Sequence, residues 1–210
     1  MKRSITDYGK VQVLIGKVVR NRDWQVKSRH LALKYLDVGC GLNTHSSFVN
    51  LDYHWTPAVD VCWNILTKKY PFDNDHFEGI YTEHCLEHIT MQQCENNLRE
   101  FYRMLKPGGT VRIIVPDGEL YLDLYHRKKE NEKVEMPYEH GYLSPMHRIN
   151  GIFRNHGHQF IYDFQTLKIL LERNGFRNVV KKSFREGANP DLLIDTESRQ
   201  IESLYVEAAK

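Results

Sequence analysis

Apolar runs of strand length alternate with helical patterns along most of this 210-residue chain, which predicts a doubly wound α/β sheet. Two further observations point the same way. Tyr35-Leu36-Asp37-Val38-Gly39-Cys40-Gly41 is an apolar strand that ends in an acid and two glycines. Glycines at such a junction let the backbone approach a ligand with no Cβ in the way. After Asp163 the chain closes with a helix and two strands, as an α/β domain with a C-terminal hairpin would.

In chain order, residues 1–33 form a lead-in. Its apolar stretch from Val11 to Val19 is β-branched enough for a strand yet spaced for a short helix, and both stay open. Strands are expected over 34–39, 48–53, 59–63, 77–83, 110–116, 178–184 and 202–209. Thr90 to Leu105 reads as a helix, with Thr90 as N-cap, Leu98, Phe101, Tyr102 and Leu105 at helical spacing, and Pro107-Gly108 as its stop. Glu119 to Lys133 is a second helix. Asp163 to Asn174 is a third, with Gly175 as its C-terminal stop. Residues 118–157 look like an insertion in the main domain (34–210). Within it, 134–157 is rich in Gly, Pro, His and Asn, which predicts an irregular, mobile lid. Six residues separate Gly41 from Phe48, whereas a parallel crossover normally takes about a dozen or more. The first crossover is therefore shortened to a turn.

Several segments occur in one order: Leu36-Asp37-Val38-Gly39-Cys40-Gly41, Val49-Asn50-Leu51-Asp52, Tyr70-Pro71-Phe72, Leu86-Glu87-His88-Ile89 and Leu105-Lys106-Pro107-Gly108-Gly109. Together they resemble the class I S-adenosylmethionine (SAM)-dependent methyltransferases, especially the type-11-like methyltransferase domains. His158-Gln159-Phe160-Ile161-Tyr162-Asp163 and the residues after it resemble a subgroup often associated with cell-surface sugar pathways. The resemblance implies a Rossmann-like, seven-stranded, mostly parallel sheet with the last strand inserted antiparallel. It implies S-adenosyl-L-methionine as cofactor. A nicotinamide cofactor is disfavoured, because Thr44 stands where the last glycine of Gly-x-Gly-x-x-Gly would fall.

By the same resemblance, the amino-acid end of SAM lies over Asp37, Gly39, Cys40 and Gly41, and Asp52 accepts the ribose hydroxyls. Tyr53, Asn64 and Ile65 hold the adenine, and Glu83-His84 meets the cofactor near its methyl group. The candidate catalytic residues are His158, His84 and Asp117: Asp117 because it ends the fifth strand, His158 because a histidine there suits removal of a proton from a hydroxyl. His84-x-x-Glu87-His88 also spells a zinc-peptidase-like pattern. That pattern needs both histidines on one helix face, and the first here ends a strand. No metal is assigned, and it stays open whether the histidine cluster gathers around an ion.

The expected reaction is O-methylation of a small or sugar-like acceptor, such as a sugar or sugar nucleotide. The alternatives are methylation of RNA or protein, or a non-catalytic SAM- or partner-binding module. The 29 basic and 27 acidic residues carry no long like-charge block, so no strong nucleic-acid footprint is present. Cys40, Cys62, Cys85 and Cys94 form no Cys-x-x-Cys pair, and no segment approaches the roughly 20 apolar residues of a membrane span. A soluble protein of a reducing, cytoplasmic compartment is expected.

Overall fold

The computed structural model describes residues 9–66 and 69–210. Seven strands build one sheet: β1 Tyr35–Val38, β2 Phe48–Asp52, β3 Val61–Cys62, β4 Phe77–Glu83, β5 Leu105–Pro116, β6 Arg177–Lys182 and β7 Ser203–Ala209. Their spatial order is β3-β2-β1-β4-β5-β7-β6. The first five strands are parallel, and β7 runs antiparallel between β5 and β6. This is the mostly parallel, doubly wound sheet expected from the sequence.

The helices are α1 Lys10–Val19, α2 Ser28–Leu31, α3 Met91–Met104, α4 Gly118–Lys129, α5 Pro145–Arg154 and α6 Phe164–Arg173. The start of α3 is set by a reciprocal cap. Thr90 Oγ1 accepts from Gln93 N at 3.3 Å, and Gln93 Oε1 accepts from Thr90 N at 2.9 Å. Asp163 caps α6 by accepting from Thr166 N at 2.8 Å. Both helices bury an apolar stripe, Leu98 and Phe101 from α3 and Leu167, Leu170 and Leu171 from α6, against the aliphatic side of the sheet.

The first crossover contains no helix. A web of short-range bonds holds its eight-residue turn, Cys40–Ser47, closed. Gly39 N and Cys40 N both donate to Leu51 O, at 2.8 and 3.2 Å. Asn50 from β2 latches the other end, its Oδ1 accepting from His45 N at 2.8 Å and its Nδ2 donating to His45 O at 3.0 Å. The backbone polar groups that a helix would satisfy internally are met here by the neighbouring strand.

The segment Val11–Val19, left open between strand and helix, is helical, within α1. Three expectations need correcting. Strand β3 is two residues long rather than five, and β5 begins at Leu105 rather than 110, crossing a register shift opposite β4 between Phe77 and Gly79. Helix α4 stops at Lys129, not Lys133. Finally, 134–157 is not irregular throughout, because α5 lies inside it. Pro145 takes the first helical position, where its missing N–H costs nothing, and Ser144 caps by accepting from His147 N at 3.2 Å. Ile149 and Ile152 then pack with Tyr121, Leu124 and Met136 into a small core between α5 and α4. Among the described residues, no helix is long and apolar enough to cross a membrane.

Candidate active site

The carboxyl ends of β1, β2 and β4 open into a cavity of about 560 Å³. Topology favours ligands at that edge of a parallel sheet. All ten residues expected at the cofactor line it: Asp37, Gly39, Cys40, Gly41, Asp52, Tyr53, Asn64, Ile65, Glu83 and His84. Gly39 is indispensable there. Its φ is +79°, and a Cβ would fall 2.5 Å from Cys85 Sγ.

The carboxylates differ in their partners. Asp52 Oδ2 accepts from Gly41 N at 2.9 Å and its Oδ1 from His54 N at 2.7 Å, so it holds the glycine turn as well as the cavity wall. Glu83 accepts from Thr196 N at 3.0 Å and Thr196 Oγ1 at 2.5 Å. Asp37 is 3% exposed. Burial, with the negative charges of Glu83 and Asp52, pushes its carboxyl well above the usual carboxylate range. A cationic ligand on this wall would relieve that repulsion. Burial also pushes the Cys40 and Cys85 thiols up, which keeps them un-ionised and poor nucleophiles.

The lead-in contributes as well. Asn21 Oδ1 accepts from Asn64 N at 2.8 Å, and Gln25 brackets Cys62, accepting from its N at 2.8 Å and donating to its O at 3.3 Å. Arg20 stacks its guanidinium 3.7 Å from the centre of the Tyr53 ring. The short β3 edge and the loop to Ile65 are thus positioned by residues far upstream.

Of the three candidate catalytic residues, the cavity takes only His84. Its backbone sits at φ +48°, a left-handed conformation unusual for a non-glycine residue. Its Nε2 bonds Ser203 Oγ at 2.8 Å and its Nδ1 lies 3.4 Å from Glu87 Oε1. Asp117 is off the cavity and must be corrected: it caps α4 by accepting from Leu120 N at 3.2 Å and pairs with Lys181 at 3.3 Å. A strand that runs straight into a helix uses its last acid on the helix's free N–H groups. His158 is also off the wall. It packs behind His88 and beside His156, with ring centroids 4.9 and 5.8 Å away.

Other lining residues were not among the site candidates taken from the sequence. His156 and His88 line the cavity, as do Thr196 and Arg199 from the long segment between β6 and β7. Burial lowers the pKa of His88, His156 and His158. Tyr81 also lines the cavity, and its buried hydroxyl has no hydrogen-bond partner among the described residues.

A family model described as a methyltransferase domain matches residues 13–181, most of the chain. The chain belongs to this methyltransferase domain family. The similarity extends to solved structures. A SAM-dependent methyltransferase from Mesorhizobium loti superposes with a TM-score of 0.52 at 16% identity, over 96% of this chain and 99% of that one. Another from Archaeoglobus fulgidus gives 0.51 at 15% identity, over 95% and 94%. Among curated proteins, a Plasmodium falciparum phosphoethanolamine N-methyltransferase is 28% identical over 102 residues, and the match spans 38% of each protein. The cofactor of this methyltransferase domain is S-adenosyl-L-methionine, and the acidic, glycine-edged wall around Asp37 fits its cationic end.

Proposed function

We propose that this methyltransferase domain methylates a hydroxyl oxygen of a small, sugar-like acceptor. The observation that supports it is one cavity combining three carboxylates, Asp37, Asp52 and Glu83, with imidazoles and a guanidinium, His88, His156 and Arg199. Its volume falls in the range of small-molecule sites. When bound, SAM supplies a methyl on positively charged sulfur, so that a carbon–sulfur bond is exchanged for a carbon–oxygen bond and the acceptor hydroxyl loses its proton.

The chain's own residues then divide the work. Asp37 neutralises the cofactor's ammonium group, Asp52 accepts from its ribose hydroxyls, and Asn64 with Ile65 borders the adenine. His156 is uncharged near neutrality, because burial lowers its pKa, and so can take the acceptor's proton. His84 has both ring nitrogens facing partners and acts as a positioning residue. Arg199 offers a planar fork to an anionic part of the acceptor, such as the phosphates of a sugar nucleotide.

The test is a transfer assay with labelled SAM against sugars, sugar nucleotides and amines, phosphoethanolamine included, beside calorimetry with SAM and its demethylated product. Label should pass to a hydroxyl acceptor, and His156→Ala should lower kcat while leaving SAM affinity unchanged. Transfer to amines alone would overturn the hydroxyl assignment. Absence of binding by either cofactor form would overturn the enzyme reading.

A further inference from the structure

Beside the cavity, the turn after β4 and the stretch after α5 place Glu87, His88 and His158 together. One potential ligand atom from each lies within 4.8 Å of the others. Glu87 is fully buried, and among the described residues neither of its carboxylate oxygens has a hydrogen-bond partner. An ionised carboxylate without donors in the interior is costly. The contacts around it are imidazoles: His84 Nδ1 at 3.4 Å and His88 Nε2 at 3.7 Å from Glu87 Oε1.

The two segments are held in register without any ion. Gln159 N and Phe160 N donate to Glu87 O at 2.8 and 3.2 Å, and Gln159 Nε2 donates to His88 O at 3.0 Å. His158 Nδ1 lies 2.6 Å from the Ile152 carbonyl. A carbonyl can only accept, so that nitrogen carries the proton and Nε2 keeps its lone pair. This is how metal-bound histidines are usually oriented.

We propose that Glu87, His88 and His158 bind a divalent transition-metal ion of the zinc class on the wall of the cavity. Two imidazoles and a carboxylate suit zinc, cobalt or manganese rather than calcium or magnesium. Three protein ligands leave a position open for an oxygen of a bound molecule. His84 supports the site through Glu87, with its far nitrogen on Ser203 Oγ. Because His88 is on the cavity wall, the open position serves the acceptor: the ion orients an acceptor hydroxyl and lowers its pKa. That role rests on the methyl-transfer reading, whereas metal binding does not.

The full chain, stripped with a chelator, should be titrated with Co²⁺ alone and followed by its visible d–d absorption, then competed with Zn²⁺. One equivalent of Co²⁺ should bind in low-symmetry coordination, and Zn²⁺ should displace it. His158→Ala and His88→Ala, at sites not fully buried, should each weaken Co²⁺ by more than the roughly 10–100-fold that losing a supporting contact costs. Glu87→Gln should do the same, and His147→Ala should have no effect. Binding that survives His88→Ala and His158→Ala together, or no stoichiometric binding by the wild type, overturns the site. SAM calorimetry on the same preparations separates the two readings. Intact SAM binding without cobalt binding rejects the metal alone, and cobalt binding without SAM binding rejects the methyltransferase reading alone.

Discussion

The two faces of the sheet are built from different chemistry. One is aliphatic, with Leu36 and Val38 of β1, Val49 and Leu51 of β2, Val111, Ile113 and Val115 of β5, and Leu204 and Val206 of β7, all beneath α3 and α6. The other, reached by the alternate residues of the same strands, carries Tyr35, Phe48, Tyr81, Ile114 and Tyr205. No helix occupies the β1–β2 crossover that would ordinarily help cover it. Residues 183–202 cover it instead, through Phe184, Leu192 and Ile194. Gly79 on β4 makes room, since a Cβ there would lie 2.8 Å from Leu192.

That cover is secured by charge as well as by apolar contact. Arg112 is fully buried on β5. It donates to Asp195 Oδ1 at 2.8 Å and Oδ2 at 2.5 Å, to Glu207 Oε1 at 2.9 Å, and to the Glu186 carbonyl at 2.9 Å. Asp195 belongs to the covering segment and Glu207 to β7, so one guanidinium ties loop to sheet. Next to Asp195, Thr196 reaches Glu83, and Arg199 lines the cavity. The aliphatic face thus supplies cohesion, while the charged face couples cohesion to the ligand site.

Arg112→Met should break this arrangement most. Removing one partner of a buried ion pair strands the others and costs about 3–5 kcal/mol. Urea melts should register that loss, and hydrogen exchange should show residues 185–199 opening, with SAM affinity lost in parallel. On the aliphatic face, Leu170→Ala should cost a similar 2–5 kcal/mol or so, yet calorimetry should find SAM affinity in the folded protein unchanged. Equal loss of SAM binding in both variants would erase the distinction.

Asp37→Asn sharpens the comparison with effects of opposite sign. The raised Asp37 pKa means the folded state holds this proton more tightly than the unfolded state, so its contribution to stability is present below about 3.8 and lost as pH rises through the folded value. The Asn variant should therefore be more stable than wild type at neutral pH without ligand. It should also bind SAM more weakly by about 1.5–3 kcal/mol, the worth of a charge-assisted hydrogen bond. An unchanged SAM affinity in Asp37→Asn would remove Asp37 from the cofactor site.

The smallest effects come from single caps. Thr196→Val removes the hydroxyl bond to Glu83 and should weaken SAM about tenfold, near the lower end of the range for bonds to charged groups. Thr90→Ala on α3 should cost about 1 kcal/mol of stability with no change in SAM affinity.

How far the sequence could be read follows from the range of the interactions involved. Helices α3 and α6, with their caps Thr90 and Asp163, were legible because cap and apolar stripe lie within a few residues of each other. The acid-glycine turn at Asp37–Gly41 was legible for the same reason, and all ten cofactor candidates fall on one cavity. Helix α5 was hidden by Gly151, whose missing side chain is replaced in space by the Tyr142 ring, a contact no local pattern announces. Asp117 misled because an acid at a strand end serves a helix cap as readily as a substrate.

By itself, then, the sequence determined the succession of strands and helices along the chain, the shortened first crossover and the acid–glycine turn that edges the cavity, all written in short-range spacing. Only the tertiary structure decided which histidines face the cavity, that His158 stands behind His88, and that Thr196 and Arg199 reach the site at all. The physical reason is that buried charge sets these placements. Arg112 meets Asp195 across 83 residues of chain, and such a pairing leaves no periodic trace along the sequence that encodes it.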